Sequence, residues 1–154
     1  MHYWLMKSEP DEFSIDDLAV APRKTTPWFG VRNYQARNFM RDAMRVGDPV
    51  FFYHSSCPRP GIAGIAKVSS PAYPDTSQFE RDSPYYDPKS KPETPRWMNV
   101  DVMLVKKTPF VDLAELRKHD ELAGMRLLVP GNRLSITPVA PREWEFITQR
   151  LMQI

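Results

Sequence analysis

Proline divides this chain into short pieces. Sixteen of its 154 residues are proline, and proline both removes a backbone donor and fixes φ, so each one near an apolar run ends or edges the element there. Pro10 closes a first strand read over His2 to Met6, and Pro22 closes a short helix that begins after Ser14. Val50 to His54 and Ile62 to Val68 read as neighbouring strands across a Pro- and Gly-containing loop, and Trp97 to Val105 as a further one. The segment from Leu127 to Pro138 combines a turn with a short strand. Such a chain has to build its core from short strands and helices.

The helix starts are written locally. Ser14 with Asp17 three residues on forms a capping box. Asn33 suits the N-cap of a helix from Tyr34 to about Arg45, whose Ala36, Phe39, Met40, Ala43 and Met44 recur at the spacing of one buried face. Asp112 caps Leu113 to His119, Asp120 caps a further short turn, and Pro141 opens a last helix presenting Trp144, Ile147 and Leu151. From Pro71 to Pro95 six prolines accompany the aromatics Tyr73, Phe79, Tyr85 and Tyr86. Disordered segments are poor in aromatics, so this loop is expected to pack over the domain and to contribute to a binding wall.

With 42% hydrophobic and 26% charged residues, the chain has globular composition and the size of a single domain, residues 1–154. No apolar run reaches bilayer length, no export signal precedes the first strand, and the lone Cys57 fits a reducing compartment. The expected location is therefore intracellular, cytoplasmic or, in a eukaryote, nuclear, with no membrane contact. Three scattered histidines offer no zinc-like set, so neither metal nor cofactor is expected.

Enzyme motifs are missing. There is no GxGxxG after a strand, P-loop, HExxH or GxSxG. Cys57 three residues from His54 sits in an ordinary hairpin loop, and the adjacent Asp16 and Asp17 diverge by about 100° on a helix, which suits dipole partners better than an acid/base couple.

The run Trp28-Phe29-Gly30-Val31-Arg32-Asn33 places a loop aromatic, a glycine turn and polar donors at the doorway of a helix. Trp28 lies between Pro27 and Gly30 rather than on an amphipathic face, which makes it a candidate for stacking on a flat ring, while Arg32 and Asn33 address the ring's edge. The overall charge is only +2, yet Arg23, Lys24, Arg32, Arg37, Arg41 and Arg45 face a single acid, Asp42, in the segment around this run. Arg37 and Arg41 are the candidate phosphate contacts. Ser8 and Ser55, each at a strand end, are candidate ligand groups on loops held by the sheet.

Several long motifs carry a resemblance: Tyr3-Trp4-Leu5-Met6-Lys7-Ser8-Glu9-Pro10, Trp28 through Asn38, Gly47 through Ser55, Ser83 through Ser90, Pro95-Arg96-Trp97, Arg133 through Val139 and Glu143-Trp144. Together they resemble the EVE domain over essentially the whole chain. The resemblance implies an α+β, PUA-like fold related to YTH domains: a curved, partly closed β-barrel of about five to six strands surrounded by several helices. It also implies a non-enzymatic reader of modified nucleobases in DNA or RNA, with modified cytosines in DNA foremost. By position, Lys7 and Ser8 form the pocket floor, Trp28 stacks on the base beside Val31, and Arg32 and Asn33 supply donors. Tyr53, His54, Ser55 and Arg133, Leu134, Ser135 form the opposite rim, with Trp97 as a further aromatic wall. Phe29 stands where many family members carry an acid. The rival readings are a small enzyme or sensor for a free nucleotide or nucleoside in the same cavity, and a protein-interaction module using the loop from Tyr73 to Tyr86.

Overall fold

The computed structural model describes residues 1–154. Six strands form one sheet: β1 (Tyr3–Ser8), β2 (Thr25–Pro27), β3 (Pro49–His54), β4 (Gly61–Val68), β7 (Asp101–Asp112) and β8 (Ile136–Val139), in the order β2-β7-β4-β3-β1-β8. The β1–β3 pair is parallel, with Lys7 opposite Tyr53 and Ser8 opposite His54; every other pair in the sheet is antiparallel. A two-stranded ribbon, β5 (Tyr73–Pro74) with β6 (Met98–Asn99), closes the ends of the proline-rich segment.

Both faces of the sheet are covered, which is why β1, β3 and β4 read as continuous apolar runs rather than alternating ones. Trp4, Met6, Val50 and Phe52 face one core with Ile15, Leu18, Trp28, Val31, Ala36 and Met40. Their sequence neighbours Leu5, Phe51 and Tyr53 face the other, with Leu116, Leu122, Met125, Ile147 and Met152. The ladder slips between Phe52 and Tyr53 and twice between β4 and β7, and such bulges bend strands. The sheet is consequently curled: Thr26 and Pro27, from its β2 edge, and Ser135, next to β8 at the opposite edge, line one and the same cavity.

Gly64 lets the layers approach. A Cβ there would lie 2.2 Å from Ile15 Cδ1 and 2.8 Å from the Lys106 carbonyl oxygen. The backbone oxygen belongs to the adjacent strand and cannot swing aside, so Gly64→Ala is expected to destabilise the fold by about 1–3 kcal/mol, read from a denaturant titration.

The helices are short. The capping box before α1 (Ile15–Val20) is present in both directions, Ser14 Oγ accepting from Asp17 N–H and Asp17 accepting from Ser14 N–H. Asn33 Oδ1 caps α2 (Tyr34–Asn38) through Ala36 N–H, and the helix then widens into a π-helical turn over Phe39–Ala43. Asp112 caps α3 (Leu113–Leu116), and the next short turn starts from His119 rather than Asp120. Pro141 opens α4 (Pro141–Phe146), which also continues as a π turn, Ile147–Leu151. Trp144 stacks on Phe51 at 3.9 Å between ring centroids.

The segment between β5 and β6 is fastened from within by Gln78. Its Nε2 donates to the carbonyls of Asp75 and Trp97, and its Oε1 accepts from Ser90 Oγ and Trp97 N–H. Gln78 is fully buried, so these four bonds satisfy a side chain that is otherwise costly to remove from water. The segment therefore has a fixed internal shape.

Candidate functional site

A cavity of ≈ 320 Å³ opens beyond the end of β1, at the small end of the range for ligand pockets, roughly 300–1,000 Å³. Lys7 and Ser8 come from β1, Glu12 and Phe13 from the turn that follows, Thr26 through Arg32 from β2 and the loop after it, Tyr85 from the proline-rich segment and Ser135 from the approach to β8.

Trp28 owes its place to two anchors. Its backbone N–H donates to the Val100 carbonyl at 2.8 Å, and its ring meets Phe52 edge-on at 5.6 Å. The indoles of Trp4 and Trp97 donate to Asp48 and Asp87. The Trp28 indole N–H, in contrast, has no partner within the protein although the residue is 8% exposed. Buried indoles normally find an acceptor, so this donor remains available in the wall of a cavity.

Lys7 is the second free group. Its backbone N–H donates to the Ser135 carbonyl, while its ammonium has no carboxylate partner and burial pulls its pKa below the usual lysine value. Ser8 Oγ donates to the Phe13 carbonyl at 2.6 Å, which leaves its lone pairs free to accept.

Arg32 borders the same cavity but supplies no donor to it. Its Nε donates to Tyr85 O, Nη1 to Val31 O and Asp75 Oδ2, and Nη2 to Tyr85 O and Ser77 Oγ. A guanidinium has five N–H donors, and all five are occupied. This corrects the expectation that Arg32 reads the edge of a ligand: it ties the Trp28 loop to the proline-rich segment. Asp75, 1% exposed, completes the tie by accepting from Gly30 N–H at 2.7 Å as well as from Arg32 and Ser77.

Gly30 has φ +79°, and a Cβ on it would lie 2.7 Å from the Tyr85 ring. Tyr85 thus lies directly against the glycine, with the exposed Phe29 edge-on to it at 5.8 Å. Gly30→Ala is expected to combine left-handed strain with displacement of Tyr85 and to destabilise the fold by about 1–3 kcal/mol; loss of hydrogen-exchange protection for the backbone amide at position 30, which donates to Asp75, provides the local readout.

Of the residues assigned from sequence, Lys7, Ser8, Trp28, Val31, Arg32 and Ser135 line the cavity together. The others do not. Asn33 is exposed and its side-chain oxygen caps α2. Tyr53 is buried in the opposite core, because consecutive strand residues point to opposite faces and Phe52 already faces Trp28. Trp97 stacks on Tyr34 at 4.8 Å, carries the Arg32 guanidinium over its ring at 5.3 Å and donates its indole N–H to Asp87, and it is absent from the cavity lining. Ser55, Arg133 and Leu134 lie outside the lining. Arg37 donates to the Arg96 carbonyl and to Asn38, and Arg41 makes two bonds to the adjacent Asp42, so both have part of their donors engaged within the protein, and neither lines the cavity. Sequence reasoning missed Glu12, Phe13, Thr26 and Pro27 in the lining; Tyr85 was legible only as an aromatic kept in a proline-rich loop.

His54 has a structural part. Its Nε2 accepts the Ile15 N–H at 3.1 Å, a role open only to the neutral ring, and burial lowers its pKa below 6.5. With the folded value depressed, the unfolded chain binds the proton first. Stability is therefore complete above about pH 6.5 and is lost as pH falls through the lower folded value. Melting temperatures between pH 8 and pH 5 are expected to decline through that window, with a shallower decline in His54→Gln.

A curled six-stranded sheet, packed on both faces and walling an aromatic cavity at the end of its parallel pair, defines an α+β fold of the PUA-like class. Residues 2–150 match the EVE domain, and the chain belongs to that family. Thymocyte nuclear protein 1 of Homo sapiens is 47% identical over 163 residues, covering 94% of this chain and 72% of its own length. The crystal structure of human THYN1 in complex with 5-methylcytosine-containing DNA is similar at TM-score 0.91 and 46% identity, covering 96% of this chain and 95% of that one. A crystal structure of a Pseudomonas putida protein is similar at TM-score 0.91 and 48% identity over 99% of both chains.

Proposed function

We propose that this protein is a non-enzymatic, single-domain reader that binds DNA by holding a modified base, of the 5-methylcytosine class, in the cavity walled by Trp28. The observation that carries the reading is the unpartnered Trp28 indole in that wall, and it is supported by the likeness to human THYN1, whose structure is a complex with 5-methylcytosine-containing DNA. No helix is long and apolar enough to cross a membrane, and an intracellular location, nuclear in a eukaryote, goes with a DNA partner.

The chemistry suits a cytosine. A base turned out of its stack exposes the N4 amino donor and the N3 and O2 acceptors of its pairing edge. Lys7 and the Trp28 indole supply donors, and Ser8 Oγ, already donating to Phe13, supplies an acceptor. The apolar side chains of Phe13, Pro27 and Val31 border the same space and suit a methyl group. One buried methyl contributes about 0.8 kcal/mol, so an oligonucleotide carrying a single 5-methylcytosine is expected to bind about fourfold tighter than its unmodified counterpart. Fluorescence anisotropy with the two oligonucleotides tests this. Equal affinity for both contradicts the reading.

A further inference from the structure

Of the six cations clustered around the Trp28 loop, four have partners within the protein: Arg32 makes five bonds to four acceptors, and Arg37, Arg41 and Arg45 have part of their donors engaged, by the Arg96 carbonyl and Asn38, by Asp42, and by the carbonyls of Asp42 and Met44. The side chains of Arg23 and Lys24 make no hydrogen bond or ion pair, and both residues are exposed. They also share an unusual backbone. Arg23 has φ 57° and Lys24 φ 52°, two successive left-handed residues where side chains are disfavoured and glycine is the usual solution. Local bonds hold the turn, Lys24 N–H to Ala21 O and Thr25 Oγ1 to Arg23 O, and the chain passes directly into Thr26 and Pro27 of the cavity wall. Residues held in this region are enriched at ligand sites.

The opposite side of the cavity has a counterpart. Arg133 is exposed, its side chain makes no bond, and it stands two residues before Ser135 of the lining. Its loop is pinned by Asn132, which donates to the Arg126 carbonyl and accepts from Leu134 N–H. Because β2 and β8 are the two edges of the curled sheet, these cations flank the cavity from its two sides.

We infer that Arg23 and Lys24 on one side and Arg133 on the other bind the backbone phosphates adjoining the base held in the cavity, so that the strand crosses the mouth from the β2 edge to the β8 edge. The inference rests on the reader function proposed above and moves the phosphate contacts away from Arg37 and Arg41.

Counterion release makes this measurable. For single-stranded DNA, each phosphate contact adds about 0.7 to the slope of log affinity against log salt. With a 5-methylcytosine oligonucleotide, Arg23→Gln/Lys24→Gln is expected to flatten that slope by about 1.4 and Arg133→Gln by about 0.7, with Arg41→Gln leaving it unchanged. All these side chains are exposed, so melting temperature checks that the variants are folded. Free 5-methyl-2′-deoxycytidine, which has no phosphate, is expected to bind the variants and the parent protein equally. Slopes unaltered in the Arg23/Lys24 and Arg133 variants, or a loss carried by Arg41→Gln instead, overturn the assignment while leaving the reader function standing. A parent protein that binds neither the oligonucleotide nor the nucleoside overturns both.

Discussion

Trp28→Ala is expected to lose modified-base binding by about 5- to 150-fold, the equivalent of about 1–3 kcal/mol for leaving an acceptor of the bound base without the indole donor in a buried site. It should also be less stable. Trp28 is 92% buried and packs edge-on against Phe52 in the core shared with Met6 and Val50, and truncating a core tryptophan to alanine costs about 3–5 kcal/mol. Binding therefore has to be measured well below the variant's melting temperature. Trp28→Phe separates the two effects, because it retains an aromatic face and most of the burial while removing the unpartnered indole N–H. Its expected affinity loss is about fivefold, one ordinary hydrogen bond of about 1 kcal/mol. If titration calorimetry finds Trp28→Ala binding as tightly as the parent protein, the cavity is not where the base sits.

The second large effect is structural. Asp75→Ala is expected to destabilise the fold by about 3–5 kcal/mol, the usual consequence of removing one partner from a buried ion pair. Asp75 is 1% exposed and the Arg32 side chain 22% exposed, at 3.1 Å from one another, so little solvent is available to replace the carboxylate. Gly30 N–H and both Ser77 donors lose their acceptor in the same substitution. Since Arg32 also holds the Tyr85 carbonyl through two bonds, the loop carrying Trp28 and the segment carrying Tyr85 come loose together. Urea unfolding is expected to show a lower midpoint, and base affinity should fall even though Asp75 is outside the cavity lining. A small loss, under about 1 kcal/mol, means that the tie does not hold the site.

What the chain discloses by itself follows the range of the interaction involved. The Ser14–Asp17 capping box and the Asn33 cap are bonds across three residues, and both helix starts were legible, although the second helix turns π-helical at Phe39 and ends before Arg45. So were β1, β3 and β4, whose apolar runs are long enough to bury on two faces. The strand β2 was not, because Thr25-Thr26-Pro27 has no pattern of its own and exists only through its ladder to Met103, Val102 and Asp101. The reach of β7 to Asp112 was hidden by exposed Lys106, Lys107 and Pro109, which read as the end of a strand and instead ride a bulged one. The site divides in the same way. Trp28 stood out because no helix or strand periodicity explained it, but a cation in a sequence does not show whether it is free. Arg32 needed Asp75, Ser77 and Tyr85, more than forty residues away, to show that it is not. Alternation along β3 sets Tyr53 on the face opposite Phe52, away from the cavity.

The free indole in the cavity wall gives the most direct test. In an amide and indole NMR correlation spectrum, titration with 5-methyl-2′-deoxycytidine is expected to shift the Trp28 indole resonance strongly. The indoles of Trp4 and Trp97, already donating to Asp48 and Asp87, should stay in place. A saturable shift confined to Trp28 and the Lys7 and Ser135 amides is the predicted result. A stationary Trp28 resonance, with shifts elsewhere or none at all, contradicts the account.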